Sequence, residues 1–336
     1  GIDVMALRNR LTLTADWYVK NTKDILLNVP IPISSGGAND PIQNAGKIRN
    51  QGFEFNLGWN ESLNKDLSYG VSFLGTYNKN EVIALGEGMQ PIERGTIHGG
   101  TYTTRTLAGY PIGGFWLIPT DGYFNSAEEV QAHQKDGVLI QPSAKPGDIR
   151  FKDTNNDGTI NDDDRVYSGS PFPKFTYSIN GNVTYKNVDF SIGFQGVTGN
   201  KIYNATRLEL TDVTRGTNYL ASTLDYWTPE NHNASQPRLI WTDPNRNARS
   251  ESDRYLESGS YFRLRNLQVG YTLPNVWFHG LIQKARVYFN AENLFTISSY
   301  SGYTPDVNSS DVYSRGFDEF IYPSNRTFML GLNVTF

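Results

Sequence analysis

Cysteine is absent from the 336 residues. Its absence removes disulfides, thiolate zinc sites and cysteine nucleophiles together, and leaves the redox compartment open. No run approaches the roughly 18 apolar residues of a membrane-crossing helix. The opening "GIDVMALRNR" lacks the basic start and apolar core of a signal peptide. It does not begin with Met, and the chain reads as a piece of something longer. Charge of one sign is scarce as well: 30 Lys and Arg stand against 34 Asp and Glu, a net of −4. That balance leaves no basic field for nucleic acid and no polybasic patch for a membrane surface. A chain this long holds two ordinary domains or one large all-β unit.

Aromatic residues, by contrast, are plentiful: 13% of the chain, with 20 Tyr and 18 Phe. They fall in strict alternation with polar residues, which is the mark of strands with two unlike faces. In "KFTYSINGNVTY", Phe175, Tyr177, Ile179, Val183 and Tyr185 share one face; Thr176, Ser178, Asn180, Asn182 and Thr184 share the other. Val188, Phe190, Ile192 and Phe194 repeat the pattern. So do Leu11 to Val19, Phe53 to Trp59, Leu67 to Phe73, Leu267 to Leu273 and Phe328 to Phe336, with Val287, Phe289 and Ala291 a weaker case. The spacing predicts about ten strands and no amphipathic helix beyond about two turns.

A soluble β-sandwich also alternates. Two features favour a transmembrane barrel instead. Many strands run about 10 to 12 residues, the length of a tilted membrane-crossing strand. Connections near Arg8, Asn64, Lys186 and Asn275 are short, while roughly 22–50, 80–172, 198–254 and 298–326 are long. Short periplasmic turns and long external loops give that rhythm. Trp17, Tyr18, Trp59, Tyr77, Tyr185 and Tyr271 suit interfacial girdles. With the C-terminus on the periplasmic side, strand parity places all four long connections outside the cell.

The largest of them, 80–172, contains "DTNNDGTINDDD" over residues 153–164. This follows the twelve-residue calcium-loop pattern, with oxygen ligands from Asp153, Asn155 and Asp157. Gly158 allows the sharp turn, Thr159 offers its backbone carbonyl, Asn161 ligates directly or through water, and Asp164 stands where the pattern has Glu. Clustered carboxylates repel one another without a cation, and hard oxygens suit Ca²⁺. A solvated acidic turn is the plainer alternative. A dockerin is excluded, because Gly169, Pro171, Pro173 and a strand follow where a helix and a second copy would be needed.

These motifs, taken in order, resemble the C-terminal half of SusC-like TonB-dependent transporters. The stretches that carry the resemblance are "AGYPIGGFW", "TDGYFNSAEEV", "KPGDIRFKDTNNDGTINDDDRVYSGSPFPKF", "YWTPENHNASQPRL", "YLESGSYFRLRNLQVGYTLP", "VYFNAENLFTISSYSGYTPDV" and the terminal "FMLGLNVTF". They span almost the whole chain. The resemblance implies an outer-membrane barrel of about 22 strands with a plugged lumen. It also implies import of oligosaccharides or peptides, a SusD-like surface lipoprotein as cap, and energy from TonB. The plug, the TonB box and roughly half the strands are not in this sequence. About ten strands cannot close so wide a barrel, and open edges in lipid are costly, so the remaining strands are expected on the same protein or a companion chain.

Aromatic faces suit sugar rings, which makes Tyr110, Trp116 and Tyr123 near the acidic loop, and Trp227 and Trp241 in the next long connection, candidate substrate contacts. Catalysis is not expected. His98, His133, His232 and His279 are scattered, and neither H-E-x-x-H nor G-x-S-x-G occurs. The alternatives to a transporter are a secreted calcium-stabilised carbohydrate-binding or hydrolytic protein, and a passive porin or adhesin.

Overall fold

The computed structural model describes residues 1–28, 42–86, 90–97, 100–274, 282–307, 309 and 311–336. Nine strands form one sheet in which each neighbour in space is the neighbour in sequence. They are β1 (Ile2–Ala6), β2 (Leu11–Asn28), β3 (Ile42–Ser62), β4 (Leu67–Ala84), β5 (Phe175–Tyr185), β6 (Val188–Thr198), β7 (Tyr261–Thr272), β8 (Lys284–Ser298) and β9 (Thr327–Thr335). Every pairing in this sheet is antiparallel. β1 and β9 are its two edges, and among the described residues the sheet does not close on itself. The protein is all-β in class, an incomplete barrel.

The period-2 pattern predicts the faces correctly because the pairing register keeps like with like. One cross-strand row reads Leu11, Trp59, Val71, Gly181, Ile192, Leu267, Ala291 and Phe328. Another reads Tyr69, Val183, Phe190, Val269, Phe289 and Leu330. A slip of one residue on any strand would turn its whole apolar set to the wrong side. Among the described residues no second layer packs on this face: Trp17 is 72% exposed and Leu330 82%. The opposite face is mostly polar, as in the row Asn60, Gly70, Asn182, Ser191, Gln268 and Asn290, with Leu74 and Met329 as apolar exceptions. On that face Arg286 binds Asp189 through Nε at 2.8 Å and Gln268 at 3.0 Å.

Gly196 shows how tightly the apolar face is fitted. A Cβ there would lie 2.3 Å from the Tyr177 ring. That ring fills the gap and meets Phe262 beyond it in a stacked pair.

Two expectations change. β2, β3 and β4 run 18, 21 and 18 residues, well past the predicted span. The first long connection therefore begins after Asn28 and ends before Ile42, not at 22 and 50. Above Val19, Phe53 and Tyr77 the strand side chains are mostly polar, so apolar alternation ends before the hydrogen bonding does. Tyr18 is no girdle residue either: it lies on the polar face, its hydroxyl donating to Asn78 Oδ1 at 3.0 Å.

A second body of structure caps the end of the sheet where the long connections emerge. A four-stranded sheet joins Val166–Gly169, Gly114–Leu117, Thr104–Thr106 and Ile92–Arg94. A three-stranded sheet draws Lys201–Asn204, Leu256–Ser258 and Phe317–Asp318 from different stretches of the chain. Two short helices complete it, α1 (Ala127–Ala132) and α2 (Ala205–Thr211). The buried core lies here, with Phe115, Leu117, Tyr203, Leu208 and Tyr255 in one cluster. Tyr203 stacks on Phe317 at 5.3 Å.

Candidate functional site

The cap is held by a polar clasp between two long connections. Asp148 is completely buried. Its carboxylate accepts from Arg238 Nε at 2.6 Å and Nη2 at 2.9 Å, from Asn247 Nδ2 at 2.8 Å and from the Lys145 amide at 2.8 Å. Asn247 Oδ1 accepts the Ile149 amide at 2.9 Å, and Asn245 donates to the Ile149 carbonyl at 3.1 Å. The paired and fully bonded charge can tolerate burial; either partner alone could not. Nearby, burial raises the carboxyl of Asp253 above its usual range, against hydrogen bonds from Thr120.

The acidic loop lies on the rim of this cap. Asp153 accepts amides from Asp157 at 3.1 Å and Gly158 at 2.7 Å, which bends the chain back on itself. Gly158 takes φ of +93°, a region that side chains rarely enter. Asp157 accepts from Asn155 Nδ2, Thr159 Oγ1 and Asn161 Nδ2, all near 3 Å. Those hydrogen bonds, Asn155 first, hold its carboxyl down at about 2. Asp164 is fully buried, and its two oxygens accept the amides of Thr154 at 2.7 Å and Asn161 at 2.8 Å, closing the loop end to end. The Lys135 ammonium donates to the Asn156 carbonyl. Among the described residues no group of three or more His, Asp or Glu side chains is arranged to hold a metal ion. The six predicted ligands are nevertheless brought onto one short loop, and all the donors are oxygens.

The predicted aromatic contacts separate. Tyr110 and Trp116 meet edge to face at 4.8 Å, and Tyr167 closes on both. Arg105 lies over the Trp116 ring at 5.6 Å. Tyr123 packs against the Ile118, Ile149 and Phe151 cluster. Trp227 is 6% exposed; its indole N–H donates to Asn125 at 3.1 Å and its ring stacks on His232. Both its faces belong to the cap. Trp241 is 63% exposed. His98, His279 and the short connection at Asn275 lie outside the described residues.

Sequence reasoning did not find two hollows. One is lined by Arg207, Leu220, Gln236, Glu257, Ser301 and Tyr303. Arg207 pairs with Glu257 at 3.2 Å, and Ser301 donates to the same carboxylate at 2.7 Å through its hydroxyl. These residues come from stretches between 207 and 303 with no shared spacing, so no linear signal marks them. The other hollow lies on the polar face of the sheet, between Thr76, Ser178, Asn180, Gln195 and Arg265.

A family profile described as TonB dependent receptor-like, beta-barrel matches residues 1–294. TonB-dependent receptor P3 of Formosa agariphila is 33% identical over all of this chain, which covers 33% of that protein. TonB-dependent receptor SusC of Bacteroides thetaiotaomicron is 26% identical over all of this chain and 31% of its own length. The chain thus spans about a third of the length of the curated relatives it matches. Among solved structures, the RagAB peptide transporter superposes with a TM-score of 0.75 at 25% identity, over 99% of this chain and 34% of its own.

Proposed function

The chain belongs to the TonB-dependent receptor-like β-barrel family, and we propose that it is the strand-and-cap portion of a transporter that imports oligosaccharides or peptides across the outer membrane. The observation that carries this reading is the unbroken apolar face of the nine-stranded sheet. Among the described residues no second protein layer covers its rows of exposed Leu, Phe, Trp and Val, and a hydrocarbon layer is the solvent that makes such a face favourable. The polar face then lines a lumen, which a plug fills. β1 and β9 take their missing hydrogen-bond partners from further strands of the barrel.

In this arrangement the short turns and the C-terminus are periplasmic, and the cap is extracellular. The cap's exposed surface receives a SusD-like lipoprotein, and TonB supplies the energy from the other side. Trp241, Tyr110 and Trp116 serve substrate or partner; Trp227 and Tyr123 hold the cap itself. Calcium bound by Asp153, Asn155, Asp157, the Thr159 carbonyl and Asn161 orders the rim loop, with Asp164 clamping its ends. A weak site suffices outside a cell, where the ion is abundant. No catalytic step is assigned.

The test is uptake. Cells carrying the full-length gene should accumulate labelled oligosaccharide or peptide, and lose that ability when TonB is removed. Equal uptake without TonB would leave a passive pore. For the rim loop, addition of calcium should raise the melting temperature of the intact protein, and Asp157→Asn should abolish the increase.

A further inference from the structure

Immediately above the apolar face the outward side of β2, β3 and β4 changes character. The apolar series ends at Val19, Phe53 and Tyr77, with Trp17, Phe53 and Tyr77 joined in one paired row. The next outward positions are Gln51, Arg49 and Lys47 on β3 and Lys79 and Glu81 on β4. The register pairs Gln51 with Lys79, Arg49 with Glu81 and Lys47 with Ala84. Lys79 and Glu81 form an ion pair at 2.7 Å, which puts both on the same side. Arg49 Nε donates to Asn21 Oδ1 at 2.9 Å. Lys47, Arg49 and Lys79 therefore stand against Glu81 above the aromatic end of the membrane band, and exposed Lys23 and Asp24 on β2 cancel one another, so the patch keeps a net positive charge. No linear run of basic residues announces this; the hairpin assembles it.

We propose that Lys47, Arg49 and Lys79 form a binding site for the phosphates of the glycolipid headgroups in the outer leaflet. This rests on the orientation given under the proposed function. Two features point to a lipid. The patch is continuous with the face already assigned to hydrocarbon, so a molecule whose chains lie along Trp17, Phe53 and Tyr77 brings its headgroup to these cations. The heights form a ladder: at about 3.3 Å per residue along a strand, Lys79 lies ~7 Å, Arg49 ~13 Å and Lys47 ~20 Å past the last aromatic row before any tilt. The net positive charge complements a phosphate, and guanidinium offers it a forked pair of N–H donors. The site also explains why β2 to β4 continue as strands beyond the membrane: pairing holds the cations at a fixed height.

The experiment uses the intact full-length transporter in detergent, titrated with lipid A carrying both phosphates and read by native mass spectrometry. Each basic side chain near an anionic lipid surface contributes about a fivefold factor. The triple variant Lys47→Gln, Arg49→Gln, Lys79→Gln should therefore lose affinity roughly a hundredfold, while Lys65→Gln with Lys186→Gln, in turns at the opposite end, should bind as wild type. Retained binding in the triple variant, equal binding of dephosphorylated lipid A, or equal loss in the Lys65 and Lys186 control would overturn the site. Displacement of lipid A by millimolar inorganic phosphate would mean a free anion site and would also overturn it. Orientation is checked separately. Tyr303→Cys in a cysteine-free background should react with an impermeant maleimide on whole cells. Labelling without lipid binding would remove the lipid site alone; no labelling would remove the orientation as well.

Discussion

The sheet and the cap solve opposite problems with the same chain. In the sheet, side chains such as Leu330 and Trp17 are left outside, and order comes from register and from the lipid around it. In the cap, almost no segment repeats, yet Phe115, Leu117, Ile118, Phe124 and Tyr203 are completely buried. Among the described residues, nearly all the largest fully buried side chains belong to the connections; Val82, in the upper part of β4, is the exception. A loop in such a protein is thus the part with the conventional core. A strand is the part without one.

The sharpest way to break this contrast is to unseat the clasp. Asp148→Ala leaves Arg238 and Asn247 without the buried carboxylate they share, at a cost of about 3–5 kcal/mol. Hydrogen exchange should then rise across 145–151 and 236–247 while β5 and β6 stay protected; uniform exchange would show that cap and sheet are one unit. Next is a charge on the apolar face. Leu57→Arg should cost about 2–4 kcal/mol in a bilayer, against no more than about 0.5 kcal/mol for Asn56→Arg on the polar side. Equal costs, measured by denaturant unfolding in vesicles, would deny the two faces their difference.

A smaller effect concerns pH. The folded Asp157 carboxyl lies below its unfolded range, so its contribution is complete above pH about 4. It is lost as pH falls through the folded value of about 2. Limited proteolysis at residues 153–164 should rise in that window for the wild type, whereas Asp157→Asn, which cannot titrate, should be cleaved faster at every pH and lack that step. The smallest change expected is Trp241→Ala, whose exposed ring should alter stability by less than about 0.5 kcal/mol. A loss of uptake with unchanged melting would assign it to substrate or partner.

How much was legible follows the same division. Strand faces could be read because a period of two is stated by each strand alone: Phe175 to Tyr185 already carries its whole pattern. The reach of β2 to β4 could not, because beyond Val19, Phe53 and Tyr77 hydrogen bonding continues without an apolar alternation to mark it. Nor could the cap core, where Phe115, Tyr203, Tyr255 and Phe317 meet from segments far apart in sequence. The acidic loop was visible as a motif because its hydrogen bonds are local. Trp227 was misjudged for the reverse reason: what covers it, Asn125 and Gly147, lies far away in the chain.

One measurement bears most directly on the claim that the apolar face meets lipid. Single cysteines replacing each residue from 68 to 77 in β4 of the full-length protein would be spin-labelled in a bilayer. Their collision rates with oxygen and with a water-soluble nickel complex would then be compared. Oxygen access should peak at the odd positions 69, 71, 73, 75 and 77 and fall between them, with nickel access in the opposite phase. Matching access at odd and even positions, or a reversed phase, would mean that the face is covered by protein and that the chain is not the wall of a membrane barrel.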